Sequence, residues 1–257
     1  MKKTIIALLA LAGVASAAYE ENLIWSADMT KGEYKYTIGA AAPAEFSILF
    51  NSSWSTTDFT TMPGYAYTDG TKKVGFEPKG DETNKSGIRF GDTFTISADC
   101  NLTGVYSTEK KEYDLIQLCE TLTWQFNVKY STETKQITFS GSPGLDGLTS
   151  VGTYELTDIT NITLNMNGAV GEDGIVSLYI NDSLAAYATM DGTNRHATSY
   201  LNTGIVFLND RSYPGNGGII GGISSVKVYN TVTIPEPATA TLSLLALAGL
   251  CARRRRA

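Results

Sequence analysis

The sequence predicts an all-β fold, a sandwich of two antiparallel sheets, on three observations. Apolar residues recur at every second position in short runs, and Gly, Asn, Asp and Pro separate those runs with turn chemistry. Gly, Thr, Ser, Asn and Tyr are abundant while long helical patterns are few, and the stretch 18–233 is long enough for one sizeable β domain. No internal repeat, low-complexity tract or interdomain linker divides it.

The chain opens on a different kind of segment. Lys2 and Lys3 form a positive start, Thr4 to Val14 an apolar run, and Ala15-Ser16-Ala17 a small-residue cleavage site, the anatomy of a secretory signal peptide over 1–17. Signal peptidase is then the first processing partner, cutting between Ala17 and Ala18, and the segment forms a signal helix.

Within the body, Ala18 to Gly91 is the least legible part. Phe46–Phe50 reads as a strand, and Trp54 to Gly80 as long loops with short strands. Beyond it the alternation sharpens. Phe94, Ile96 and Ala98 share one face of a strand. Leu122, Trp124, Phe126, Val128 and Tyr130 are apolar with Thr121, Thr123, Gln125, Asn127 and Lys129 between them, so one face is core and the other wet. Lys135–Ser140 follows with Ile137 and Phe139 in phase, then strands over Thr160–Asn165 and Val176–Ile180. Asn181-Asp-Ser183 supplies a tight turn, Leu184–Met190 returns, and Ile205–Leu208 and Ser225–Tyr229 close the body.

The last element is a tail over 234–257. Pro235 and Pro237 fix φ and continue neither strand nor helix, leaving an extended, cuttable linker. Ala238 to Ala252 carries no charge, and as a helix it reaches about 22 Å, which snorkelling arginine stems must extend to span a bilayer. Arg253 to Arg256 belong on the cytoplasmic side by the positive-inside rule, so the body lies outside and the tail is a C-terminal transmembrane helix.

Charge narrows the partners. The chain has 20 basic and 26 acidic residues; setting aside Lys2, Lys3 and the tail arginines leaves 14 basic residues against 25 acidic ones without Glu236, a body near −11. That balance excludes nucleic acid, which requires a basic footprint. His196 is the sole histidine and lies in a polar loop, so histidine triads and multi-histidine metal centres are excluded as well. Cys251 is a small hydrophobe within the tail. Cys100 and Cys119 are the two body thiols that an oxidising compartment allows to pair, closing a loop worth roughly 3 kcal/mol. Against the pairing, Cys100 is in phase with Phe94, Ile96 and Ala98, whereas Cys119 is out of phase with Ile116 and Leu118.

Two resemblances extend this reading. Pro235-Glu236-Pro237, a short apolar helix and a terminal arginine cluster, in that order, resemble the PEP-CTERM sorting signal of Gram-negative exoproteins, which implies an exosortase as second processing partner. The strands Phe94-Thr-Ile-Ser97, Leu115-Ile-Gln-Leu118, Trp124-Gln-Phe-Asn127, Gly174 to Ala185, Leu201 to Asn209 and Gly222 to Asn230 occur in the order seen in LamG-like domains. The resemblance covers roughly 94–230 and implies a concanavalin A-like jelly roll, often used to bind glycans or proteins.

Glu112-Tyr-Asp114-Leu-Ile-Gln117 is similar to the glutamate-x-aspartate-x-x-glutamate motif of laminarinase-like hydrolases, with Glu112 at the nucleophile position. Gln117 stands where the acid/base belongs, and an amide cannot donate and recover a proton, so no catalytic residue is expected. Lys110 and Lys111 upstream favour a solvated hairpin end for this segment. For binding, the loop Asn209 to Gly218 offers Tyr213 as a stacking platform with Asn209, Asp210 and Asn216 as hydrogen-bonding groups, and Trp54 is a second platform. Asn209 and Asp210 also suit calcium, a cation that seeks such oxygens, although the same residue types serve simply to make a turn. The expectation is an exported, non-catalytic surface or extracellular protein that binds carbohydrate or another surface protein. The alternatives are a structural envelope or matrix component and a degenerate glycoside hydrolase.

Overall fold

The computed structural model describes residues 23–31, 33–36, 46–50, 53–55, 64–71, 74–78, 88–89, 93–107, 109–119, 125–141, 145–167, 174–190, 200–201, 205–209 and 217–231. The signal segment with Ala15, Ala17 and Ala18, the sorting residues Pro235, Glu236 and Pro237, and both expected terminal helices lie outside them. Among the described residues no helix is long and apolar enough to cross a membrane.

Every strand pair is antiparallel. One sheet has the order β12 (Leu145–Ser150), β15 (Ser183–Met190), β14 (Gly174–Ile180), β13 (Asn161–Asn167), β8 (Thr93–Val105), β18 (Ile219–Tyr229), β1 (Leu23–Asp28) and β2 (Glu33–Tyr36), with β5 (Ala66–Thr68) also paired to β18. The second has the order β11 (Ile137–Gly141), β10 (Gln125–Ser131), β9 (Glu112–Cys119), β17 (Ile205–Phe207), β6 (Val74–Pro78), β3 (Phe46–Phe50) and β4 (Ser53–Ser55). A short pair joins β7 (Ile88–Arg89) to β16 (Tyr200–Leu201).

Alternation builds the core as anticipated. In the nine-stranded sheet Trp25, Val228, Ile96, Leu164, Leu178 and Ala186 stand opposite one another across six strands, and all are buried. In the seven-stranded sheet the matching row is Phe139, Val128, Ile116, Phe207 and Val74. Residues of both sheets belong to one apolar cluster. Phe126 and Phe139 are diagonal neighbours with centroids 5.6 Å apart and rings tilted by 38°.

The expected strands are present, several of them longer than the alternation alone marks. Phe46–Phe50 has the expected bounds, and Asn181 and Asp182 adopt φ of 49° and 63° in the turn between β14 and β15. Leu122 and Trp124 fall outside the described residues. The Trp54–Gly80 stretch resolves into β4, β5 and β6, while β1 and β2 have no counterpart in the sequence reading.

Two sequence readings are decided by the structure. The pairing of Cys100 with Cys119, which the sequence left open, does not form: Cys100 is a free, buried thiol whose Sγ lies 3.4 Å from the Ile159 carbonyl, and burial pushes its pKa up to about 12. Cys100 lies opposite Ile223 in one sheet and Cys119 opposite Gln125 in the other. The segment from Glu112 is also not a solvated hairpin end. Lys111 is exposed and paired to Glu133 at 2.8 Å, but β9 beyond Glu112 runs between β10 and β17, with Tyr113 through Leu118 all buried.

Candidate ligand-binding face

Because β9 is an inner strand, its second face is as consequential as its core face. On a regular strand residues three apart point to opposite faces, so Asp114 and Gln117 should be separated. The register shows otherwise. Gln117 lies opposite Asn127 and Ile116 opposite Val128, but the next pairs are Asp114 with Lys129 and Glu112 with Ser131. One extra residue of β9 is accommodated here, and this β-bulge returns Glu112, Asp114 and Gln117 to a single face.

That face is polar, and its centre is withdrawn from water while Glu112 at one end is exposed. Gln117 is 2% exposed and Asp114 6%, and the Asn127 Oδ1 is buried without a hydrogen-bond donor among the described residues. Leaving such an acceptor unsatisfied costs about 1–3 kcal/mol, so the position invites a donor. Lys129 Nζ lies 3.8 Å from Glu112 Oε2, a partly exposed ion pair at one end of the polar strip. The row through Gln117 continues across the sheet: Ser140, Asn127, Gln117, Val206, Gly75, Leu49 and Trp54 occupy successive register positions. Hydroxyl and amide groups occupy the first three positions, and Val206, Gly75 and Leu49 separate them from the position of Trp54.

The residues singled out from the sequence fare differently. Trp54 falls on this row. Asn209 does not face solvent: it is 1% exposed, and its Nδ2 donates to the Gly70 carbonyl at 3.2 Å. Around it Gly218 N donates to Gly70 O at 2.6 Å, Ile219 N to Leu208 O at 2.8 Å and Tyr106 N to Gly218 O at 2.9 Å. The start of that loop is thus a backbone junction, and Asn209 is a buried part of it rather than a ligand group. Tyr213, Asp210 and Asn216 lie outside the described residues, as does His196. Among the described residues no group of three or more His, Cys, Asp or Glu side chains converges to hold a metal ion.

Asn127 and Lys129 were not singled out from the sequence because wet-face residues of a strand carry no signal of their own. The motif Glu112-x-Asp114-x-x-Gln117 was the available clue, since its uneven spacing makes sense on one face only if the strand is bulged.

The fold and this face together define a two-sheet antiparallel β-sandwich protein with a recessed polar strip. No family model matches the chain, and neither does any curated protein. Among solved structures it is similar to the carbohydrate recognition domain of Emp47p, at 13% identity over 82% of this chain and 98% of that one, with a TM-score of 0.47. The botulinum neurotoxin serotype C1 binding domain gives 14% identity, 88% and 51% coverage and a TM-score of 0.43. A mutant Trypanosoma rangeli sialidase displaying trans-sialidase activity gives 15% identity and a TM-score of 0.38, over 63% of this chain and 28% of the sialidase. The chain thus spans under a third of that enzyme, and none of these likenesses bears on ligand or activity.

Proposed function

We propose that this is an exported, non-catalytic surface or extracellular protein whose concanavalin A-like, LamG-like sandwich binds carbohydrate on the polar face of its seven-stranded sheet. The observation that carries the reading is the bulge in β9, which collects Glu112, Asp114 and Gln117 beside Asn127 and Lys129 on one face. Sugars present many hydroxyls in fixed geometry, and a strip of amide, carboxylate and ammonium groups in a poorly solvated setting recognises them by hydrogen bonding.

The same geometry argues against hydrolysis. Retaining cleavage uses two carboxyl groups about 5–5.5 Å apart, one of which must exchange a proton. With Gln117 at the acid/base position the face keeps hydrogen-bonding capacity and lacks the proton donor. Export rests on the signal segment 1–17 and the tail 234–257, processed by signal peptidase and an exosortase, with the apolar tail holding the body outside the inner membrane until it is cut or retained.

A glycan array probed with the chain after signal removal tests the binding. Binding to a defined glycan set, weakened at least ten-fold by Asn127→Ala with unchanged melting temperature, is the expected result. An array without any specific binder would instead favour a structural envelope or matrix component. Reducing-sugar release from β-glucans by the wild type would overturn the non-enzyme reading, and release only by Gln117→Glu would identify the face as a disarmed hydrolase cleft.

A further inference from the structure

The outer face of the nine-stranded sheet carries an apolar patch at one end. Among the described residues six large apolar side chains are exposed, and five of them, Leu148, Val151, Ile175, Leu184 and Tyr187, sit on β12, β14 and β15 or just past them. Ile175 is 59% exposed and Tyr187 42%. Their register fixes the face. Ile175 lies opposite Thr189, Tyr187 opposite Ser177 and Leu184 opposite Tyr179, all positions out of phase with the buried Val176, Leu178 and Ala186.

The chain leaves the described body on that same face. Thr95 Oγ1 lies 2.6 Å from Asn165 Oδ1 and 2.7 Å from the Thr231 carbonyl, and Thr95, Asn165, Ser177 and Tyr187 occupy successive register positions. Thr95, which holds the Thr231 carbonyl, is therefore three strand spacings, about 14 Å, from Tyr187. The seven Cα–Cα steps from Thr231 to Ala238 reach up to about 25 Å, so the apolar segment 238–252 begins within range of the patch.

Length and charge also agree. As a helix the fifteen residues 238–252 extend about 22 Å, close to the roughly 24 Å of strand from Ile175 to the Asp182 turn. Thr231 follows Tyr229, which pairs with Thr95, so the exit lies at the Ile175 end. A segment running from there would deliver Arg253 to Arg256 to the far end, where Glu155, Asp158 and Asp182 are exposed. The only described base among them, Lys135, is held by Glu155 at 3.2 Å.

We infer that in the uncut chain, away from a membrane, the tail segment 238–252 folds back along the outer face of β14 and β15 and covers Ile175, Tyr179, Leu184 and Tyr187. A 15-residue apolar helix in water is an aggregation hazard, and an apolar face of its own length shields both surfaces until a bilayer competes for the tail. The inference uses the tail of the proposed function but neither its processing nor any glycan.

The test is photocrosslinking of the full-length chain, dilute and free of detergent, with benzoylphenylalanine in place of Tyr187 and, separately, of the exposed Tyr106 as control. The expected result is a monomer-sized adduct from position 187 that maps by mass spectrometry to residues 238–252, and none from position 106. Adding lipid vesicles should reduce the adduct at least five-fold. Crosslinks from position 187 only between two copies would assign the patch to self-association, and the absence of any tail adduct would leave the face uncovered; either overturns the inference. Leu245→Glu gives an independent reading, with an expected loss of at least ten-fold in adduct yield and no change in body melting temperature. Failure here leaves the glycan array unaffected, and failure of the array leaves the crosslink unaffected.

Discussion

Asp28 shows how much a single side chain organises. Its carboxylate accepts from Thr30 N at 3.0 Å, from Thr30 Oγ1 at 2.5 Å and from Lys31 N at 3.3 Å, with Lys31 Nζ 3.0 Å away, so it closes the turn after β1. The Thr30 hydrogen bond, then those of Lys31, hold its pKa down to about 2. A carboxylate with a depressed folded-state pKa adds stability above its unfolded value, near 3.9, and loses it as pH falls through the folded value. The expected outcome is an NMR titration midpoint near 2 for Asp28, moved upward by Thr30→Ala. The melting-temperature difference between wild type and Asp28→Asn should persist at pH 6 and vanish between about pH 4 and pH 2. A midpoint at the ordinary carboxylate value would show that the turn is not closed this way.

At the scale of elements, the junction of β17, β18 and the Gly70 turn depends on a glycine for space. Gly218 has no room for a side chain: an added Cβ would meet the Leu208 carbonyl at 2.3 Å and the Asn209 side chain at 2.6 Å. Backbone and a buried amide cannot step aside cheaply, so Gly218→Ala should cost about 1–3 kcal/mol, read by chemical denaturation. A change below about 0.5 kcal/mol would mean that the junction yields. Gly217, at φ of 80°, sits in the left-handed region, and a Cβ added there would also meet Tyr106 Cδ1 at 2.7 Å, so conformation and space act together at that position.

For the whole molecule, β1 and β18 lie side by side, with Leu23 opposite Tyr229 and Asp28 opposite Ser225. The connections to the signal segment and to the tail therefore leave from neighbouring strands, and removing either touches one margin of the body. Intact mass of the protein extracted from the cell surface should lack Met1 to Ala17. A mass that retains both Met1 and Arg256 would sink the export and sorting scheme.

The sequence by itself determined the fold class, because period-2 alternation is a local consequence of strand geometry and needs no knowledge of neighbours. Phe94, Ile96 and Ala98, and Phe126, Val128 and Tyr130, were readable as core on that ground, as was the Asn181-Asp182 turn. It also placed Cys100 in phase with the apolar residues of its strand and Cys119 out of phase with those of its own, while only the structure placed them in separate sheets. Three things depended on tertiary structure. Asn209 has the composition of a loop ligand, and only its distant contact with Gly70 turns it inward. The segment from Glu112 has charges that resemble a hairpin end, yet β10 and β17 on either side make it an inner strand. The bulge that aligns Glu112, Asp114 and Gln117 exists only relative to β10, since a bulge is a mismatch between two strands. Alternation tells which residues share a face of one strand; what lies across from them is set by pairings between distant parts of the chain.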